Sequence, residues 1–120
     1  MKTCFMCESQ PILENDLAKA FYDEFPVNPG HMLFTTKRHV KSYFDTSLEE
    51  KIAILELIDK AKVLLDEKYH PDGYNIGINC GESAGQSVMH VHVHLIPRYK
   101  GDSSDPKGGV RGIIPSKQKY

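Results

Sequence analysis

The 120 residues of this chain carry a formal net charge of −1, and 40% of them are hydrophobic while 26% are charged. This length fits one globular domain with one core, and the charge balance gives no overall attraction to nucleic acid or to anionic membranes. No apolar run reaches the roughly 20 residues of a transmembrane helix, and the N-terminus lacks the apolar stretch of a signal peptide. We therefore expect a cytoplasmic protein, a single domain over residues 1–120, with neither a nucleic acid nor a membrane as partner.

Two of the three cysteines lie in an irregular N-terminal segment, residues 1–17. Cys4 and Cys7 have the spacing of half a zinc site, and a closed tetrahedral site needs two further ligands. The alternative is a pair of free thiols, and a redox pair fits less well because no βαβ pattern surrounds it. Cys80 is expected to be a small buried side chain and not a ligand.

Four segments of the chain have the composition of β-strands. The first two are separated by a cluster of prolines and a glycine, which predicts a hairpin. A linker of small residues, 80–87, separates the last two, and Pro97 is expected to close the final strand. Residues 101–120 are rich in Gly, Pro, Ser and Lys and predict a surface arm. The four predicted strands are residues 18–25, 31–36, 74–79 and 88–96.

One long helix is predicted between the second and third strands. Ser47 and Glu50 have the spacing of a capping box, and apolar residues follow at three- and four-residue steps. His70 precedes Pro71, which disfavours helical backbone and predicts the end of the helix. The buried face is expected to contain Leu48, Ile52, Leu55, Ile58, Ala61 and Leu65.

His90, His92 and His94 alternate with valines in the last predicted strand. Successive side chains of a strand point to opposite faces, so we expect the three imidazoles on one face and the apolar residues on the core. A neutral imidazole can attack phosphorus near pH 7 if one nitrogen is free and the other is held as N–H. A site that only binds metal and a purely structural role are the alternatives.

The loop residues Gly85, Gln86 and Ser87 lead directly into this histidine run. Gly85 lets the backbone approach a phosphate closely, and the Gln86 amide can orient a leaving group or a water. Ser87 can donate a proton or a hydrogen bond to the departing oxygen. Taken alone, such a loop is weak evidence for a functional site, and it becomes informative only because it adjoins the histidines.

Residues 85–98 resemble the signature of the histidine triad (HIT) family, in which histidines alternate with apolar residues and two apolar residues follow. Residues 28–40 are similar to the family's upstream motif, and residues 75–81 to the strand before the loop. The resemblance covers about residues 4–100. It implies an α+β fold with one long helix packed on an antiparallel sheet, and a homodimer formed by sheet extension.

The resemblance also implies a nucleotide hydrolase or nucleotidyl transferase that acts at the α-phosphate. The middle histidine, His92, would form a nucleotidyl-histidine intermediate, and His94 would contact phosphate oxygens. Asp23 would hold the ribose hydroxyls, Asn79 would lie near the phosphate, and His31 would support the triad from behind. The residues implied in catalysis are His92, His94, Gln86 and Ser87, and those implied in substrate binding are Asp23, Asn79, Gly85, Gln86, Ser87 and His94.

The two missing metal ligands follow from the same resemblance. They are His39 and His90, which with Cys4 and Cys7 would bind a structural zinc ion, so that His90 would be a ligand and not a base. The expected substrate is a purine nucleotide, as a dinucleoside polyphosphate or a nucleoside phosphoramidate. Phosphorolysis, and a nucleotide-binding or interaction protein with incidental turnover, are the alternative functions.

Overall fold

The computed structural model describes residues 4–120, and within them five strands form one antiparallel sheet in the order β1-β2-β3-β5-β4. A long helix, α2 (Leu48–Tyr69), packs on one face of the sheet, and a short helix, α1 (Phe5–Glu8), lies near the N-terminus. The predicted α+β architecture is confirmed. The strands are Leu13–Glu14 (β1), Ala18–Tyr22 (β2), Met32–Thr36 (β3), Gly73–Ile78 (β4) and His92–Arg98 (β5).

The last strand begins and ends later than the sequence predicts. Residues 88–90 form a bend, and β5 starts at His92. Pro97 does not close this strand but lies inside it, opposite Tyr74 of β4. The pairing of β5 with β3 ends at Leu95, so Pro97 has a neighbouring strand on one side only. Proline is tolerated there because a strand edge has no ladder hydrogen bond to lose.

The start and the end of α2 are confirmed at the predicted residues. The Ser47 hydroxyl accepts from the Glu50 N–H at 3.1 Å, and the Glu50 carboxylate accepts from the Ser47 N–H at 2.8 Å, which completes the capping box. His70 adopts left-handed backbone with φ of 51° before Pro71. Within residues 4–120, neither α2 nor any other helix has both the length and the apolar character that a membrane span requires.

The predicted buried face of α2 is wrong for half of its members. Leu48, Ile52 and Leu55 are 67%, 46% and 60% exposed. A helix with apolar residues around much of its circumference has no single stripe in its sequence, and the sheet selects which stripe is covered. The buried residues of α2 are Glu50, Ala53, Ile54, Leu57, Ile58, Ala61 and Leu65.

The register of the strands divides the sheet into two distinct faces. Ala20, Phe34 and Val93 are cross-strand neighbours in the core that α2 covers. The residues one step away point to the other face, where Leu33 lies opposite His94. Met6 of α1 packs there against Phe21, Leu33 and Val88. The histidines of β5 therefore lie on the face opposite the long helix.

The segment 101–120, predicted as a surface arm, is locally folded. It forms two short 3-10 helices, Gly109–Ile113 and Pro115–Lys117. The Gln118 amide donates to the carbonyls of Asp105 and Lys107 at 3.4 and 3.2 Å. The first of these helices lies beside β4.

Candidate active site and metal centre

A cavity of about 450 Å³ lies on the histidine face of the sheet. It brings together the side chains of His92 and His94 from β5 with Asp23, which follows β2. The remaining lining is largely apolar, and such a mixture of apolar walls with a few polar groups is typical of a small-molecule site. The other lining residues are Phe5, Met6, Glu24, Phe25, Leu33, Asn79, Gly85, Ser87 and Val88.

The half-buried imidazole of His92 is held in one tautomer by the backbone. Its Nδ1 lies 2.9 Å from the carbonyl oxygen of His90, and since a carbonyl only accepts, Nδ1 must carry the proton. In the neutral ring Nε2 is then unprotonated and has a free lone pair. The accepting carbonyl belongs to the last residue of the bend at residues 88–90, which precedes β5.

His31 and His94 form a chain of hydrogen bonds with defined donors. The Val27 N–H donates to His31 Nδ1 at 3.0 Å, so His31 carries its proton on Nε2. That N–H donates to His94 Nδ1 at 2.9 Å, which leaves the His94 proton on Nε2. One oxygen of Asp23 lies 3.5 Å from His31 Nε2. His94 Nδ1 therefore accepts a hydrogen bond inside the protein, while its Nε2–H has no acceptor among residues 4–120.

Both of these rings are neutral near pH 7. Burial lowers the pKa of His94 to about 4, and the neighbouring His92 and His31 lower it further. Burial also lowers the pKa of His31, although the Asp23 carboxylate opposes that shift. His94 can therefore offer an anion a neutral N–H donor without titrating in the physiological range.

Gln86 is not placed where the sequence analysis expects it. Its side chain is only 4% exposed and lies behind the loop, not in the cavity. Its Oε1 accepts from the Gly81 N–H at 2.9 Å, and its Nε2 donates to the carbonyls of Lys41 and Val88 at 2.7 and 3.1 Å. Every hydrogen-bonding atom of this amide faces the backbone, so in this structure Gln86 supports the loop.

The residues on either side of Gln86 are exposed and line the cavity. Gly85 has a φ of 97°, which favours glycine, and a Cβ there would lie 3.8 Å from the Asn79 amide. The Ser87 side chain is free to reach a ligand. This loop thus presents Gly85 and Ser87 to the cavity and hides the residue between them.

Cys4, Cys7, His39 and His90 form a second group, the Cys-His cluster, whose ligand atoms all lie within 4.8 Å of one another. The Nδ1 of His90 lies 3.2 Å from the Cys4 sulfur and 3.5 Å from the Cys7 sulfur. The Nδ1 of His39 lies 3.4 Å from the Cys7 sulfur. Two sulfur and two nitrogen donors at these separations could hold a metal ion.

The His90 ring is oriented for such a role by Thr36. Its Nε2 lies 2.8 Å from the Thr36 carbonyl oxygen, so Nε2 carries the proton and the unprotonated Nδ1 faces the cysteines. His90 is fully buried and precedes β5, and its ring does not line the cavity. The expected alternation of three imidazoles along one strand therefore holds for His92 and His94 alone. Cys80 is half-buried and lies outside the cluster.

The apolar wall of the cavity and a buried lysine that donates to the backbone around α1 were not expected from the sequence. Phe5, Met6 and Leu33 line the cavity, but nothing in their local pattern distinguishes them from core residues. Lys19 is 6% exposed and its Nζ donates to the carbonyls of Cys7 and Ser9, both at 2.8 Å. Its alternation with the alanines of β2 was the available signal, since it places Lys19 on the face opposite the core.

A protein-family model described as the HIT domain matches residues 6–101. The chain belongs to the HIT family. A 16.1 kDa HIT-like protein of Mycoplasma pneumoniae is 39% identical over 87 residues, which cover 72% of this chain and 60% of that protein. The bis(5'-nucleosyl)-tetraphosphatase (asymmetrical) of Schizosaccharomyces pombe is 36% identical, over 84% of this chain and 56% of that enzyme. The AP-4-A phosphorylase of Mycobacterium tuberculosis is 33% identical, over 81% of this chain and 50% of that enzyme.

Solved structures of HIT proteins have the same fold as this chain. A HIT family protein from Bacillus anthracis is 32% identical with a TM-score of 0.77, over 82% of this chain and 75% of that one. A Zn-bound histidine triad family protein from Mycobacterium smegmatis is 30% identical with a TM-score of 0.76, over 86% of this chain and 80% of that one. The HIT fold, with its five-stranded sheet and long helix, is therefore shared across these proteins.

Proposed function

We propose that this HIT protein hydrolyses or transfers nucleotides at the α-phosphate through a covalent nucleotidyl-histidine on His92. The observation that carries the proposal is the hydrogen bond from His92 Nδ1–H to the His90 carbonyl at 2.9 Å. It leaves the lone pair of Nε2 free on a ring that lines the cavity, which is the state that a nucleophile needs. The names of two relatives favour a dinucleoside polyphosphate as substrate, and a nucleoside phosphoramidate would present the same α-phosphate.

In the first step, the Nε2 lone pair of His92 attacks the α-phosphorus. A P–N bond forms, and the P–O bond to the leaving polyphosphate breaks with its electron pair. The ring becomes cationic, and the His90 carbonyl stabilises that charge through the Nδ1–H. In the second step, water attacks the phosphorus, the P–N bond breaks, the nucleoside monophosphate leaves and the proton of the water passes to solvent.

The other cavity residues would bind the substrate around this nucleophile. We propose that His94 donates its Nε2–H to a non-bridging oxygen, and that Ser87 donates to the departing oxygen. Asp23 is the acceptor for the ribose hydroxyls in this proposal, because its carboxylate lines the same cavity as His92 and His94. Asn79 and the exposed backbone of Gly85 lie beside the phosphates. For Gln86, the buried amide supports a role in shaping the loop.

We propose zinc as the metal of the Cys-His cluster. Zinc favours thiolate and imidazole ligands, and Zn–S and Zn–N bonds of about 2.3 and 2.0–2.1 Å place sulfur and nitrogen about 3.5 Å apart in a tetrahedron. The sulfur–nitrogen separations of 3.2, 3.4 and 3.5 Å fit that value. A closed site with four protein ligands supplies structural cross-linking, and a Zn-bound relative supports the assignment.

We also propose a homodimer that pairs through β4, the strand at one edge of the sheet. Ile76 in that strand is 52% exposed, and Val110 and Ile113 in the adjacent segment are 59% and 80% exposed. Edge strands with exposed apolar side chains are ready to pair with a second chain. Sedimentation equilibrium of the wild type and Ile76→Lys tests this, with a dimer expected only for the wild type.

Phosphorolysis is the second candidate, favoured by the similarity to the AP-4-A phosphorylase. In that reaction inorganic phosphate takes the place of water in the second step. Chromatography of the products separates the two functions, since a nucleoside diphosphate that forms only when phosphate is present would establish phosphorolysis.

The decisive experiment is intact-mass analysis after brief incubation with diadenosine tetraphosphate. We expect an added mass of one adenylyl group (AMP less one water) on the wild type and on His70→Asn, a control histidine that is exposed and does not line the cavity. The adduct is expected to be absent from His92→Asn. An adduct that persists in His92→Asn, or that never forms in the wild type, would contradict the proposed mechanism.

A further inference from the structure

The short helix α1 depends on neighbouring parts of the protein for its position. It has four residues, too few to be stable without tertiary contacts. Lys19 donates to two carbonyls at the C-terminal end of α1, and Met6, which is only 2% exposed, packs against the sheet. The Cys-His cluster includes Cys4, which immediately precedes α1, and Cys7, which lies within α1. A metal ion there would anchor both ends of α1 to His39 and His90.

The same helix forms one wall of the cavity that contains the proposed nucleophile. Phe5 and Met6 both line the cavity, on the same face of the sheet as His92 and His94. The Phe5 ring meets the Phe21 ring edge-on, with 6.0 Å between the centroids, and it is 45% exposed. An aromatic ring that is partly exposed at the edge of an apolar cavity is suited to stack on a base.

His90 provides a second connection between the cluster and the cavity. Its Nδ1 is directed at the cysteines, while its carbonyl oxygen accepts the Nδ1–H of His92. The cluster and the nucleophile are therefore joined through one residue. Movement of His90 after loss of a metal ion would also move the acceptor that orients His92.

We propose that a metal ion bound by the Cys-His cluster sets the nucleotide affinity of the cavity by holding Phe5 and Met6 in place as its base-binding wall. This rests on the proposed function, in that the cavity takes a nucleotide. Without the ion, α1 would lose its attachment to His39 and His90, and the Phe5 ring would be held less firmly by the remaining contacts of Lys19, Met6 and Phe21. Stacking of a base on an aromatic side chain contributes enough that its loss weakens binding by about tenfold.

The test is a cycle of AMP dissociation constants measured by calorimetry on zinc-loaded and chelator-stripped protein. We expect stripping to raise the Kd of the wild type about tenfold, and Phe5→Ala to raise it by a similar factor in zinc-loaded protein. Removal of zinc from Phe5→Ala should then raise its AMP Kd by less than about a further twofold, because both changes remove the same wall. The matched control is Phe44→Ala, a 76% exposed phenylalanine outside the cavity, which should respond to stripping as the wild type does.

Linkage supplies a readout that does not involve catalysis. If zinc tightens AMP binding, AMP must tighten zinc binding by the same factor, which competition with a chromophoric chelator measures. Equal AMP affinities with and without zinc would overturn the proposal, as would fully additive effects of stripping and Phe5→Ala. If removal of zinc unfolds the protein, as judged by loss of its circular dichroism signal, the zinc-loaded variant still tests the proposal. An unchanged AMP Kd for zinc-loaded Phe5→Ala then overturns the proposal by itself. Failure of zinc-loaded wild type to bind AMP or form the adduct would instead reject the proposed function.

Discussion

The two faces of the sheet are closed in different ways. On one face, the 22 residues of α2 cover an apolar surface in which Phe34, Leu57 and Leu65 are at most 1% exposed. On the other face, the four residues of α1 cover part of a surface that also carries histidines and a buried lysine. The first face is closed mainly by apolar contacts, whereas the second combines the smaller apolar cluster around Met6 with hydrogen bonds and the Cys-His cluster.

This difference separates stability from chemistry within one small domain. Burial of apolar side chains under α2 supplies most of the free energy of folding, since that term scales with apolar area removed from water. The opposite face can then hold neutral imidazoles in fixed tautomers and leave a cavity open. Substitutions on the two faces should consequently affect different measurements.

The largest effect is expected for the nucleophile. His92→Asn should lower kcat/KM for diadenosine tetraphosphate by at least about 10⁴-fold, because removal of a covalent nucleophile leaves only binding and electrostatic stabilisation. The ring is half-buried and makes one hydrogen bond to the backbone, so the midpoint of thermal unfolding should change little. Steady-state kinetics and calorimetric melting check both statements. A His92→Asn protein with a tenth of the wild-type rate would contradict the assignment.

The opposite result is expected on the helix face. Leu57→Ala should lower the free energy of unfolding by about 2–5 kcal/mol, since it leaves a cavity in the core. Its kcat/KM should stay near wild type well below the melting temperature. The matched control is Leu55→Ala, a leucine that is 60% exposed and should change stability by less than about 0.5 kcal/mol. Urea unfolding measures both, and equal losses for the two leucines would refute the observed orientation of α2.

This pair of leucines also marks how far the sequence could predict the structure. The capping box is a local pattern, so Ser47 could be identified from spacing alone, whereas the histidine run indicated His92 as a nucleophile only through its resemblance to the HIT signature. Which stripe of α2 is buried depends on the sheet, and a helix with leucines at both 55 and 57 does not reveal it. The inward turn of Gln86 and the wall formed by Phe5 depend on contacts between distant segments, which no local period encodes.

A pH dependence of stability is expected from the histidine face. The folded pKa of His94 is about 4, below the unfolded value of 6.5, so the unfolded chain takes up a proton first as pH falls. Stability is therefore full above pH 6.5 and is lost as pH falls from 6.5 to 4, by up to about 3 kcal/mol for this group. Urea unfolding at pH 7.5 and pH 5 should show a smaller loss in His94→Asn. A wild type as stable at pH 5 as at pH 7.5 would disprove the burial of this ring.

The smallest effect concerns the loop, where a buried residue adjoins an exposed one. Gln86→Leu removes the partner of three backbone groups and should lower the free energy of unfolding by about 2 kcal/mol, with a fall in kcat/KM because the loop shifts. Ser87→Ala, one residue further on and exposed, should lower kcat and leave stability unchanged. If Gln86 instead contacted the substrate directly, Gln86→Leu would resemble Ser87→Ala, with lost activity and an unaltered urea midpoint. Comparing both variants by kinetics and urea unfolding therefore decides whether this amide acts on the substrate or on the loop.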